Sequence, residues 1–135
     1  MALQAGSEFE PRRFGPVTIT DIVRFAGASG DFTPTHHDER YARAAGFPTV
    51  FAMGMYPASV LATYASEQLG SHRVRRLKVR FREKVWPGDV LECLGRVTTV
   101  EAGSGGSLRV VVELQCRTGS GMVIDGVGEY QTPGM

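Results

Sequence analysis

In the run Ser29-Gly30-Asp31-Phe32-Thr33-Pro34-Thr35-His36-His37-Asp38, a carboxylate and an imidazole stand five residues apart with a proline turn between them. A helix would point residues five apart in different directions, whereas an irregular turn can aim both side chains into one pocket. Facing each other, Asp31 and His36 would form a proton-transfer pair, because either group can hold the proton near neutral pH once its surroundings tune it. The predicted chemistry is acid/base catalysis on a small molecule. Taken alone, Asp31 could equally be a turn former ahead of a proline. His37 is expected to face solvent, although it could replace His36 if the loop register slipped. His72, at a helix–strand junction, is expected on the surface.

Other chemistries lack their residues. The three histidines have no metal-ligand spacing, so no metal is expected. There is no dinucleotide fingerprint and therefore no expected cofactor. Ser59 and Ser66 have no Gly-x-Ser-x-Gly elbow around them. Cys93 and Cys116 fall within apolar-patterned segments and are expected as reduced core residues of a cytoplasmic protein rather than as a disulfide. The 135 residues suit a single domain spanning 1–135, and a net charge of +1 argues against nucleic acid or a membrane surface as partner. No apolar run reaches the length of a membrane span, and residues 1–13 lack the pattern of a signal peptide.

The elements that must position Asp31 and His36 can be read from punctuation and period. Val17 to Thr20 predicts a short strand leading into a helix capped by Thr20 or Asp21, with Ile22, Val23, Phe25 and Ala26 on its apolar face and Gly27 and Gly30 ending it. Asp38 to Ala45 predicts a second helix, with Asp38 and Glu39 at its positive end and Gly46 beyond it. The longest helical pattern runs from Met53 to Leu69 and stops at Gly70. It is apolar nearly all round, which marks a buried helix, and Pro57 falls near its first turn.

After Arg73 the period becomes two. Leu77, Val79 and Phe81 alternate with Lys78, Arg80 and Arg82, and Leu108, Val110, Val112, Leu114 and Cys116 alternate with their neighbours. Residues 89–100 and 122–131 complete four antiparallel strands in meander order, with a first strand from the N-terminus. A sheet with one apolar face must cover it, and the long helix is the element able to do so. The expected class is α+β, an antiparallel sheet wrapped around a central helix: the hotdog arrangement.

At this point the residues resemble a known family, the MaoC-like hydratases and dehydratases, single-hotdog proteins related to (R)-specific enoyl-CoA hydratases. Phe25 to Asp38 is similar to the family's Gly-Asp-any-Asn-Pro-aliphatic-His-any-Asp. Gly46-Phe47 with Phe51-Ala52-Met53-Gly54-Met55 resembles its Ala-His-Gly-Met element. Leu77 to Phe81 and Val85 to Asp89 resemble the strand and turn that follow. The chain departs from the pattern at Thr33 (Asn in the family), Thr35 (aliphatic) and Met53 (His).

The resemblance implies a hydro-lyase interconverting 2-enoyl and (R)-3-hydroxyacyl thioesters of CoA or acyl carrier protein. It implies Asp31 and His36 as the acid/base pair and the Gly54 N–H as donor to the thioester carbonyl. Ser29, Pro34, Met53, Met55 and Tyr56 would line the substrate site. A homodimer with sites near its interface is implied as well. Two alternatives stay open: a hotdog thioesterase, and a non-catalytic subunit pairing with an active paralogue. The basic run Arg73, Arg75, Arg76, Lys78, Arg80, Arg82 and Lys84 is either a solvated strand face guarding a sheet edge or a landing site for CoA phosphates or an acidic carrier protein.

Overall fold

The computed structural model describes residues 2–134. In chain order the elements are β1 (Arg12–Phe14), α1 (Ile19–Ser29), α2 (Glu39–Ala44), α3 (Met55–Leu69), β2 (Val74–Phe81), β3 (Leu91–Ala102), β4 (Leu108–Thr118) and β5 (Gly121–Thr132). The sheet is antiparallel throughout and α3 lies against β2, β3, β4 and β5, so the fold is the expected hotdog.

Expectations about three parts of the fold need correction. Val17 to Thr20 is not a strand. Thr18 caps α1: its hydroxyl accepts the Asp21 N–H at 3.0 Å while the Asp21 carboxylate accepts the Thr18 N–H at 2.9 Å. That reciprocal cap engages the backbone a ladder would have used, and the edge strand falls earlier, at Arg12–Phe14. Thr18, rather than Thr20 or Asp21, is the cap, and Gly27 lies inside the helix.

The long helix begins at Met55 rather than Met53, and it is not buried all round. Pro57, Ala58, Leu61, Tyr64, Ala65 and Leu69 are buried, while Met55, Thr63, Glu67 and Gln68 are exposed. Alanine and the small hydroxyl residues mask the polar side of the helix in a hydropathy pattern.

The strands are not a simple meander. Their order is β1-β3-β4-β5-β2, so β3, β4 and β5 form hairpins but β2 crosses to the far edge, beside β5. The β2–β3 connection explains this. It is tied to the helical layer by Ala52 N–H to Val85 O (2.9 Å), Gly88 N–H to Val17 O (2.7 Å) and Val17 N–H to Asp89 O (2.8 Å). Segments so anchored cannot form a tight hairpin.

The predicted alternation holds inside the sheet. Leu91, Cys93 and Val97 of β3, Val110, Val112, Leu114 and Cys116 of β4, and Ile124 and Tyr130 of β5 are buried against α3. Burying one side chain such as Leu61 or Ile124 contributes about 1.5–3 kcal/mol. Cys93 and Cys116 stand directly opposite each other on β3 and β4 as buried free thiols. No helix among the described residues is long and apolar enough to cross a membrane.

Candidate active site

Helix α1 delivers the carboxylate. Gly30 ends it in the left-handed region (φ 78°), a conformation open to glycine at no steric cost, and the next residue is Asp31. The Asp31 N–H donates to Ser29 Oγ at 3.3 Å. Its Oδ1 accepts two bonds from Thr33, from the hydroxyl at 2.8 Å and from the backbone N–H at 3.3 Å. Those two bonds favour the ionised form and hold the Asp31 carboxyl below its ordinary range, with His36 a smaller contributor.

His36 closes a single 3-10 turn, Pro34–His36, which Pro34 can start because its missing N–H would be unpaired there anyway. His36 as a residue is 8% exposed. Its Nδ1 lies 2.6 Å from the carbonyl oxygen of Phe51. A carbonyl only accepts, so Nδ1 carries the proton and Nε2 is turned toward Asp31, 3.8 Å from Oδ2. That separation is too long for a direct hydrogen bond and suits two groups sharing one oxygen between them.

The residue that orients His36 was not legible in the sequence. Besides offering its carbonyl, Phe51 packs its ring edge-on against the imidazole, with centroids 5.2 Å apart, and against Phe47 at 4.8 Å and Trp86 at 5.5 Å. Lys84 Nζ stands 5.5 Å from the ring centroids of both Phe47 and Phe51. The Phe51 N–H donates to Thr35 O at 3.3 Å, closing the segment onto the histidine turn. The only sequence signal was that Phe51 lies in the element leading to Gly54.

Gly54 caps α3 with helical dihedrals, and its N–H has no acceptor among the described residues. A free N–H at the positive end of a helix is a donor for a developing oxyanion. The ring of Phe81, 57% exposed at the end of β2, lies beside it, and the side chains of Met55 and Phe32 are exposed as well.

The other expected site residues are distributed unevenly. Ser29 touches the Asp31 backbone and Pro34 forms the turn. Tyr56 is half-buried with its ring edge-on to Phe25 at 5.5 Å. Met55 faces solvent, whereas Met53 is 4% exposed and belongs to the core. His37 is exposed, with Nε2 3.1 Å from Phe32 O, and His72 is exposed after α3. Among the described residues no group of three His, Cys, Asp or Glu is placed to hold a metal.

The basic run lies largely on the outer face of β2, where Arg76 stands opposite Glu129 and Arg80 opposite Asp125. Arg82 pairs with Asp125 at 2.8 Å. A concavity of about 320 Å³ on that face is lined by Lys78, Arg80, Glu113 and Asp125 and includes neither Asp31 nor His36.

The family described as MaoC like domain matches residues 2–116. The chain belongs to the MaoC-like family. It is 27% identical over 120 residues to the 3-hydroxybutyryl-CoA dehydratase of Methylorubrum extorquens, covering 87% of this chain and 74% of that protein. A stretch of 75 residues, 56% of the chain, is 37% identical to the peroxisomal hydratase-dehydrogenase-epimerase of Saccharomyces cerevisiae, of which it spans 8%. Among solved structures, the (R)-hydratase PhaJ1 of Pseudomonas aeruginosa superposes with a TM-score of 0.83 at 25% identity, covering 98% of this chain and 84% of that one. The ChsH1-ChsH2 complex of Mycobacterium tuberculosis includes a chain of the same fold, with a TM-score of 0.84 at 22% identity and coverage of 98% and 99%. Of this MaoC-like chain's departures from the motif, Thr33 contacts the Asp31 carboxylate directly and Met53 is withdrawn into the core.

Proposed function

We propose that this MaoC-like chain, as a single hotdog domain over 1–135, is a hydro-lyase that interconverts 2-enoyl and (R)-3-hydroxyacyl thioesters of CoA or acyl carrier protein. The observation that carries this reading is the 3.8 Å approach of Asp31 Oδ2 to a His36 Nε2 whose other nitrogen is fixed on Phe51 O. One water bound by both groups can give its oxygen to the β-carbon while its proton passes through the pair to the α-carbon on the same face. Adding water to a double bond conjugated with a thioester builds charge on the carbonyl oxygen. The Gly54 N–H and the dipole of α3 meet that charge. The exposed side chains of Phe32, Met55 and Phe81 offer apolar surface for an acyl chain.

The reading includes a homodimer in the cytoplasm. Strand β2 is the longer free edge of the sheet, and the exposed Phe81 sits at its end, so a second copy against that edge would help enclose the substrate. A paralogous chain could take the same place.

The test is hydration of crotonyl-CoA, followed by loss of the enoyl-thioester absorbance with no release of free thiol. Asp31→Asn and His36→Ala should each lower kcat by about 10²–10⁴. Thiol release by the wild type would assign a thioesterase instead. Inactivity with crotonyl-CoA and with a longer enoyl-CoA, relieved by adding a paralogous chain, would assign a non-catalytic subunit.

A further inference from the structure

The carboxylate of Asp31 has two unequal oxygens. Oδ1 is occupied by Thr33, whose hydroxyl and amide both point at it, at 2.8 and 3.3 Å, while Oδ2 alone approaches His36. The side chain of Asp31 is 39% exposed. Burial therefore does little to restrict rotation about its terminal torsion, a soft and roughly two-fold one in carboxylates. Hydrogen bonding must do the restricting. Few neighbouring groups can do so: Ser29 Oγ accepts from the Asp31 backbone and leaves the carboxylate free, and no Lys or Arg forms an ion pair with Asp31 among the described residues.

We propose that Thr33 is a positioning residue for Asp31, its hydroxyl clamping Oδ1 so that Oδ2 is held toward His36. The proposal rests on the hydro-lyase reading for its kinetic consequences but not for its geometry. Two donors on one oxygen do more than one would. The amide fixes the plane of the turn, and the hydroxyl, which can rotate, supplies the shorter bond. The same bonds tune charge. A carboxylate accepting two hydrogen bonds is easier to ionise, so Asp31 stays in the form able to accept a water's proton to lower pH than a free side chain would. Thr33 at this position is thus a working residue of this chain rather than a lost amide. A β-branched side chain, stiff at χ1, is suited to holding a single donor direction.

The test compares Thr33→Val, which keeps the shape and the backbone bond but removes the hydroxyl, with Thr33→Ser, which keeps the hydroxyl. Thr33 is exposed, so neither change should disturb the core. Two readouts are taken: NMR titration of the Asp31 carboxyl carbon, and the pH dependence of enoyl-thioester hydration. Thr33→Val should raise the Asp31 titration toward the ordinary carboxylate range and move the acid limb of the rate profile upward with it. It should lower kcat by about tenfold to a hundredfold with little change in KM, the scale expected when a reacting group is misplaced by a fraction of an ångström to an ångström. Thr33→Ser should restore both readouts. An Asp31 titration and pH profile in Thr33→Val that match the wild type would overturn the proposal. If the wild type hydrates no enoyl thioester, the hydro-lyase reading fails, and the carboxyl titration still decides whether Thr33 holds Asp31.

Discussion

The ring of Phe81 occupies the space that a side chain on Gly54 would need: a β-carbon there would lie 2.9 Å from Cδ1 and 3.0 Å from Cε1 of the ring. Strand β2 and the N-terminus of α3 therefore meet at a contact that only glycine permits without displacement. Because Phe81 is more than half exposed, its ring can swing away, so Gly54→Ala should cost little stability. It should still lower kcat/KM by at least about tenfold, equivalent to about 1.4 kcal/mol in the transition state. On the proposed reading, the added methyl would crowd the thioester carbonyl and displace the Phe81 ring from beside the Gly54 N–H. Steady-state hydration rates alongside thermal melting separate the two effects; equal losses in both would contradict this account.

Removing the cap of α1 should loosen the helix that ends at Asp31. Thr18→Ala and Asp21→Ala each break the reciprocal cap, at a cost of about 1 kcal/mol, which for a chain of this size lowers the melting temperature by about 3–5 °C. The double variant should lose less than the sum, since both residues serve one device. Calorimetry of the three proteins provides the comparison.

Tyr130 is 1% exposed and its hydroxyl has no partner among the described residues, while its ring fills the space above Gly128, 2.6 Å from where a β-carbon would stand. A buried, unpaired hydroxyl is a cost to the fold. Tyr130→Phe should therefore raise stability by about 1 kcal/mol, measured as the midpoint of urea unfolding at unchanged slope. A lowered midpoint would show that the hydroxyl is satisfied.

Tyr64 presents the opposite case. Its hydroxyl donates to Glu10 O at 2.8 Å, and burial pushes its pKa up to about 12. The folded state thus favours the neutral phenol. The stabilisation is complete below the ordinary tyrosine value near 10 and is lost as pH rises toward 12. Tyr64→Phe should melt below the wild type at neutral pH, and that difference should shrink between about pH 10 and 12. A difference that stays constant across this range would refute the linkage.

The order in which these features could be read follows from how local each one is. The Asp31 turn, the stop at Gly70 and the alternation of β4 depend on residues near in sequence, and they appear in the structure at the expected places. The edge assignment of β2 depends on where its connection is anchored, through Val85 and Asp89 on Ala52 and Val17, and no period encodes such pairings. In the sequence Thr18 reads as a strand residue because β-branched side chains serve strands and caps alike. In the site, Asp31 and His36 can be picked out by type and spacing, whereas Gly54 is reached only through the family resemblance. The hold of Phe51 on His36 is made by a backbone carbonyl, which every residue carries, so no side-chain identity could announce it.

That carbonyl sits in a stretch, residues 47–53, with no helix or strand of its own. It is kept in place by edge-on ring contacts and by a few hydrogen bonds, to Thr35, Val85, Ala42 and the Glu39 carboxylate. Such a segment can open without the sheet melting, because its protection is local rather than shared with the ladder. When it opens, the imidazole loses both its tautomer and its heading at once. Heat inactivation should then set in below the temperature of global unfolding, and amide exchange at Phe51 and Ala52 should run ahead of exchange in β4.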